Sequence, residues 1–170
     1  MAIRDSRKGK LLILTGVPAS GKTTVAGHLA KMVRNVIIVS SDEIRKVSRR
    51  RVWEKMEEIV SEQLEGGMVV VADATNYDRS HRDRFARAAI GLDCPFRIVY
   101  LKAERDTLLE RNSKRNEAVP QSAIYHLFRA YQEPLADEMP IIIDTESVPA
   151  RDAARVIAAQ MGLDTECQET

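Results

Sequence analysis

The chain has 170 residues, 44% of them hydrophobic and 30% charged, with a formal net charge of +1. That length is one domain's worth and can bury a substantial core. The near-neutral charge excludes a generally basic polyanion binder while allowing a local basic patch, and no apolar run approaches the roughly 20 residues of a membrane span.

The opening MAIRDSRKGK is basic and leads straight into a strand-like run, unlike a signal peptide. Cys94 and Cys167 lie far apart without metal-like spacing, which implies a reducing compartment and no zinc site. The expectation is a cytoplasmic protein that needs no membrane. Residues 1–9 and 164–170 read as polar, mobile tails of a single domain spanning 1–170.

The first apolar run, LLIL (11–14), is followed by GVPASGKT (16–23), which fits G-x-x-x-x-G-K-[ST] between a strand and a helix. Glycines at 16 and 21 let the backbone curl so that successive N–H groups point at phosphate oxygens, and the helix start adds its positive dipole end. Lys22 reaches the β- and γ-phosphates, and Thr23 places its hydroxyl on Mg²⁺. Gly16, Ala19, Ser20, Gly21, Lys22, Thr23 and Thr24 are the expected nucleotide contacts, with ATP or GTP as donor.

The second run, VIIV (36–39), ends in VSSDEIR (39–45). Carboxyl ends of parallel strands face the ligand crevice. Asp42 there suits a general base for an attacking hydroxyl, and Arg45, one turn on, suits the acceptor. The competing reading is a helix cap at Ser41 or Asp42. The basic run RKVSRRRVWEK (45–55) reads either as an exposed helix face or as a track for an acceptor's phosphates. Trp53, Met56, Ile59, Val60 and Leu64 form an apolar stripe assigned to the core, closed by Gly66-Gly67.

The third run, MVVVA (68–72), places Asp73 just beyond its end, where a carboxylate can hold Mg²⁺ directly or through water. Thr75 and Asn76 are expected to line the same crevice on the acceptor side, or to form a turn. His28, His81 and His126 have no ligand spacing. Gly91 closes the next helix before FRIVYL (96–101). The stretch ERNSKRNEAVP (110–120) then gathers cations. A helix from about Glu104 places Arg111 and Arg115 on one face, where guanidinium forks suit phosphate oxygens. Residues 104–120 read as a lid whose closure delivers both arginines and excludes water, with Lys114 solvated and Pro120 in the first turn of the next helix. Ile124, Leu127, Phe128 and Tyr131 mark that helix's apolar stripe, and IIID (141–144) is the last strand.

Strands alternating with helices predict an α/β, three-layer P-loop NTPase fold with a five-stranded parallel sheet and a helical lid. Taken together, GVPASGKT, SSDEIR, VVVADATNY, YLKAERDTLLERNSKR and AVP resemble a family of P-loop kinases acting on RNA-linked hydroxyls. The family includes archaeal-type L-seryl-tRNA(Sec) kinase domains and, especially across RNSKRNEAVP, bacteriophage-type 5′-hydroxyl polynucleotide kinases. Elongator-associated ATPases that bind tRNA share the same core. The resemblance covers roughly residues 10 to 160.

It implies Lys22 and Thr23 on phosphate and Mg²⁺, and Asp42 as base with Arg45 beside it. Asp73 falls in the metal shell, with Arg111 and Arg115 on the lid. Ala19 departs from the second loop glycine common in these kinases, and Thr23 replaces serine. Seryl-tRNA kinases of this type also carry a helical C-terminal tRNA-recognition domain, whereas this sequence ends at Thr170. The expectation is a kinase core that binds tRNA differently, borrows a separate RNA-recognition partner, or takes another acceptor. The readings kept open are an RNA-hydroxyl kinase, a 5′-hydroxyl polynucleotide kinase, an NTPase switch that binds tRNA or a protein partner, and a small-metabolite kinase.

Overall fold

A computed structural model of the protein describes residues 8–165; Cys167 and the outermost residues of both polar ends lie outside them. The five apolar runs form five strands, β1 (Lys10–Thr15), β2 (Val36–Ser40), β3 (Val69–Asp73), β4 (Phe96–Lys102) and β5 (Ile141–Asp144). All pair in parallel in the order β2-β3-β1-β4-β5. The central strand β1 is buried on both faces, which is why LLIL reads as a continuous apolar run.

Helices cover both faces, as parallel crossovers require. On one side α2 (Ser41–Val47), α3 (Val52–Glu65) and α4 (Arg79–Gly91) pack around Ile13, Met56, Val60, Leu64, Val70 and Phe85. On the other, α1 (Lys22–Met32) and α7 (Ala150–Gln160) enclose Leu12, Leu14, Leu29, Val71, Val99 and Ile157. A third, smaller cluster joins α5 (Arg105–Ser113) and α6 (Gln121–Ala130) to the loop after β1 through Leu108, Ile124 and Val17.

Several local expectations shift. The run 45–55 is not one helix, because α2 stops at Val47 and α3 starts at Val52, with Arg51 in the left-handed region at φ 57°. Gly67, at φ 79°, turns the chain after α3 as expected, but Gly91 ends inside α4, and Asp93, at φ 53°, makes the turn. α5 ends at Ser113, so Arg115 follows the helix rather than extending it, and Pro120 caps α6 from outside. The packed structure extends to residues 8–9 and 164–165. A Cβ on Gly9 would lie 2.5 Å from the Leu64 carbonyl oxygen, and Thr165 forms an antiparallel bridge with Val33.

Candidate active site

The carboxyl ends of the strands open into a cleft of about 1100 Å³. Ala19, Gly21, Lys22, Thr23 and Thr24 line it from the turn between β1 and α1; Asp42 and Arg45 enter from α2, Asp73 and Thr75 from the end of β3, and Arg111 and Arg115 from α5 and its exit. The sheet register explains the convergence, since Asp73 pairs with Leu14 on one side and Ser40 on the other, at one level.

Three anticipated residues stand behind this surface. Gly16 and Ser20 shape the loop from within. A Cβ on Gly16 would lie 2.5 Å from both the Leu101 carbonyl oxygen and the Ser20 hydroxyl. Asn76 does not line the cleft. It is fully buried with a left-handed backbone, φ 45°, and its Nδ2 donates to the Leu14 carbonyl at 2.7 Å. Its neighbour Thr75 lines the cleft, while the Thr75 carbonyl accepts from the Gly16 N–H at 3.2 Å and so fixes the start of the loop.

The loop is built for an anion. Gly21 takes φ 96° at the N-cap of α1, which has no side-chain cap and no acidic residue in its first turn, leaving the helix's first N–H groups and dipole for a ligand. Ala19 also sits in the left-handed region, at φ 70°, so the alanine at this position carries backbone strain. The Lys22 ammonium folds over the loop and donates to the Gly16 and Val17 carbonyls at 2.8 and 3.1 Å. Desolvation lowers its pKa to about 8, helped by Arg115 and opposed by Asp73 and Asp42.

The two carboxylates differ in surroundings. Asp73 is 5% exposed and accepts from the Thr23 hydroxyl at 2.9 Å. Burial raises its pKa, against the Thr23 hydrogen bond and the Lys22 charge. Asp42 is open to the cleft, its side chain 74% exposed, and accepts from Arg45 Nη1 at 2.9 Å. A buried acid on a hydroxyl and an exposed acid on a guanidinium are suited to different tasks.

Arg111 donates to the Thr145 hydroxyl at 2.8 Å and the Thr145 carbonyl at 2.9 Å, tying α5 to the end of β5. Beyond it, the buried Asn112 amide donates to the Val119 carbonyl and accepts from the Val119 N–H, at 2.9 and 3.0 Å, pinning the intervening loop. Thr145 and Val148 line the cleft and were missed in the sequence. The strand-end rule that picked out Asp42 and Asp73, applied to IIIDT, points to Thr145. Trp53 and Tyr77 also line the cleft. Trp53 was assigned to the core, and it does lean on that cluster, but it is only partly buried. No group of three or more His, Cys, Asp or Glu side chains able to hold a metal occurs among the described residues, and no helix among them is long and apolar enough to cross a membrane.

Known proteins resemble this chain in sequence and in fold. The family described as AAA domain matches residues 11–135, a stretch that includes the phosphate loop, Asp42, Asp73 and both arginines. L-seryl-tRNA(Sec) kinase of Methanococcus maripaludis is 32% identical over a region covering 73% of this chain and 53% of that protein. Protein KTI12 of Saccharomyces cerevisiae is 24% identical, with 73% and 46% covered. The chain thus spans about half the length of these curated relatives. Among solved structures, a putative kinase from Chloroflexus aurantiacus superposes with a TM-score of 0.74 at 20% identity, covering 92% of this chain and 98% of that one. The Mycobacterium tuberculosis APS kinase CysC gives 0.68 at 16% identity, covering 91% and 98%. With its phosphate loop set on the five-stranded parallel fold of the P-loop kinases, the chain belongs to the AAA domain family.

Proposed function

We propose that the protein is an ATP-dependent kinase that transfers the γ-phosphate to a hydroxyl on RNA. The observation that carries this reading is the pair of unlike carboxylates facing one phosphate loop, with Asp73 bound to Thr23 and Asp42 open beside Arg45. The relative named L-seryl-tRNA(Sec) kinase supports the acceptor class.

In this reading the loop N–H groups and Lys22 hold the phosphates, with Arg111 and Arg115 closing over them from the 104–120 lid. Asp42 accepts the proton of the acceptor hydroxyl, which Arg45 and Thr75 orient. The acceptor oxygen forms its bond to the γ-phosphorus as the bond to the β–γ bridging oxygen breaks, and ADP leaves. Thr23 and Asp73 would supply two hard oxygen donors suited to Mg²⁺. The metal would neutralise charge on the phosphates.

The test offers labelled γ-phosphate from ATP to serylated tRNA, uncharged tRNA and short 5′-hydroxyl RNA, followed by mild base, which cleaves an aminoacyl ester but not a terminal phosphate. Base-labile label that requires the seryl group identifies seryl-tRNA as acceptor. Base-stable label on 5′-hydroxyl RNA identifies a polynucleotide kinase. Asp42→Asn should lower transfer by about 10²–10⁴-fold with nucleotide binding retained. Phosphate release without label on any RNA would overturn the reading in favour of a switch or a small-metabolite kinase.

A further inference from the structure

One wall of the cleft has no part in the phosphate chemistry. Trp53, in the first turn of α3, and Tyr77, just after β3, both line it. They belong to elements that follow β2 and β3, as Asp42 and Arg45 do, so the strand order sets all four on the same half of the cleft, away from Thr145 and Val148. The His81 ring braces both aromatics, edge-on to Trp53 at 4.5 Å and tilted against Tyr77 at 4.8 Å. His81 Nδ1 lies 2.6 Å from Asp78 Oδ1, which holds the imidazole in place. Both ring systems therefore meet the cleft from braced positions, at little entropic cost to a ligand.

An indole and a phenol beside an acceptor carboxylate suit a planar heterocycle, which offers a π face to stack on. A sugar acid or a serine-sized acceptor would call for hydrogen-bonding side chains here instead. Immediately upstream of Trp53, in the break between α2 and α3, Arg49, Arg50 and Arg51 are all exposed. Arg45 and Lys46 are each paired with a carboxylate of their own helix. The three arginines after them form no ion pair among the described residues; they do not line the cleft but lead directly in the chain to Trp53, leaving unpaired positive charge just upstream of the aromatic wall.

We propose that Trp53 and Tyr77 form a platform on which the terminal base of a single-stranded RNA acceptor stacks, while Arg49, Arg50 and Arg51 contact its phosphates. The position of the acceptor hydroxyl rests on the kinase reading, but the test below does not require transfer.

Trp53 is the chain's single tryptophan, so indole fluorescence reports this wall alone. Protein saturated with ADP and Mg²⁺ is titrated with a short 5′-hydroxyl RNA, an abasic oligoribonucleotide of the same length, and gluconate. The RNA should quench Trp53 saturably. The abasic chain should bind roughly 5- to 150-fold more weakly and leave the emission unchanged, for want of a stacked base. Gluconate should have no effect.

Tyr77→Ala should weaken RNA binding within the same range. Arg49→Ala combined with Arg50→Ala should reduce the slope of log affinity against log salt by about 1.4. RNA binding with no change in emission, equal binding of the abasic chain, or quenching by gluconate would overturn the proposal. The two readings fail separately. Transfer to a small hydroxyl acceptor without RNA quenching ends the platform and keeps a kinase, whereas saturable RNA quenching without transfer to any acceptor keeps the platform and ends the kinase.

Discussion

The ammonium of Lys22 destabilises the ligand-free fold, and the effect has a defined pH window. In the unfolded chain the group titrates near 10.5, and in the folded protein desolvation lowers it to about 8. Below pH 8 both states are protonated and the folded state bears the full penalty. Between pH 8 and 10.5 the folded group loses its proton first, the unfolded chain binds more protons, and stability rises with pH. Integrated from pH 7 to 9.5, the gain is about 2 kcal/mol, or roughly 4–8 °C in Tm for a chain of this size. The Tyr100 and Tyr131 phenols, whose pKa values are raised chiefly by burial, pull the other way only above pH 10. The assay is thermal or urea unfolding of nucleotide-free protein across pH 7–9.5, wild type against Lys22→Met. The wild type should gain about 2 kcal/mol relative to the variant over that range. Parallel curves would refute the reasoning, because they would mean the ammonium is not desolvated by the loop.

Three further outcomes follow from the geometry. Ala19→Gly relieves left-handed strain of roughly 1–2 kcal/mol, offset in part by glycine's unfolded-state entropy, so Tm should rise by about 1–3 °C; an unchanged or lower Tm contradicts it. Asn112→Ala removes both bonds to Val119, and hydrogen exchange should show the Val119 amide opening at least about tenfold faster, whereas wild-type protection would mean the loop is held elsewhere. Arg82 and Glu138 pair with side chains only 1% and 3% exposed. Arg82→Met should therefore cost about 3–5 kcal/mol by urea unfolding, with much of it recovered when Glu138→Leu removes the stranded charge; a cost under 1 kcal/mol would mean the pair is not desolvated.

The sheet was readable because its strands are buried on both faces and so appear as uninterrupted apolar runs, and the phosphate loop because its glycines and lysine answer to strict local geometry. Asp42 and Asp73 followed from one topological rule. What escaped detection depends on which way a half-buried side chain turns. Trp53 satisfies the apolar stripe of α3 and still presents a face to the cleft, so periodicity alone assigned it to the core. Asn76 looks like a crevice residue by type, yet it turns inward to hydrogen-bond the β1 backbone. The break at residues 48–51 interrupts a run with no glycine or proline to signal it. Nothing local marks Arg82, on a helix that also carries Arg79, Arg84 and Arg87, as buried. Its partners Glu138 and the Gln132 carbonyl come from a segment about 50 residues later, beyond any local pattern.

The stretch from α5 to the end of α6, which carries Arg111 and Arg115 beside the phosphate loop, is tied to the sheet floor at two points. Arg111, near the end of α5, bonds to Thr145, and the Tyr131 hydroxyl just after α6 lies 2.8 Å from the hydroxyl of Thr15, the residue immediately before the phosphate loop. Val17 of that loop packs against Leu108 and Ile124 from the same segment. Swinging it far outward would tug directly on the backbone of the phosphate loop. On the kinase reading proposed above, release of ADP would be coupled to loosening of its own cradle rather than to the independent flapping of a free arm.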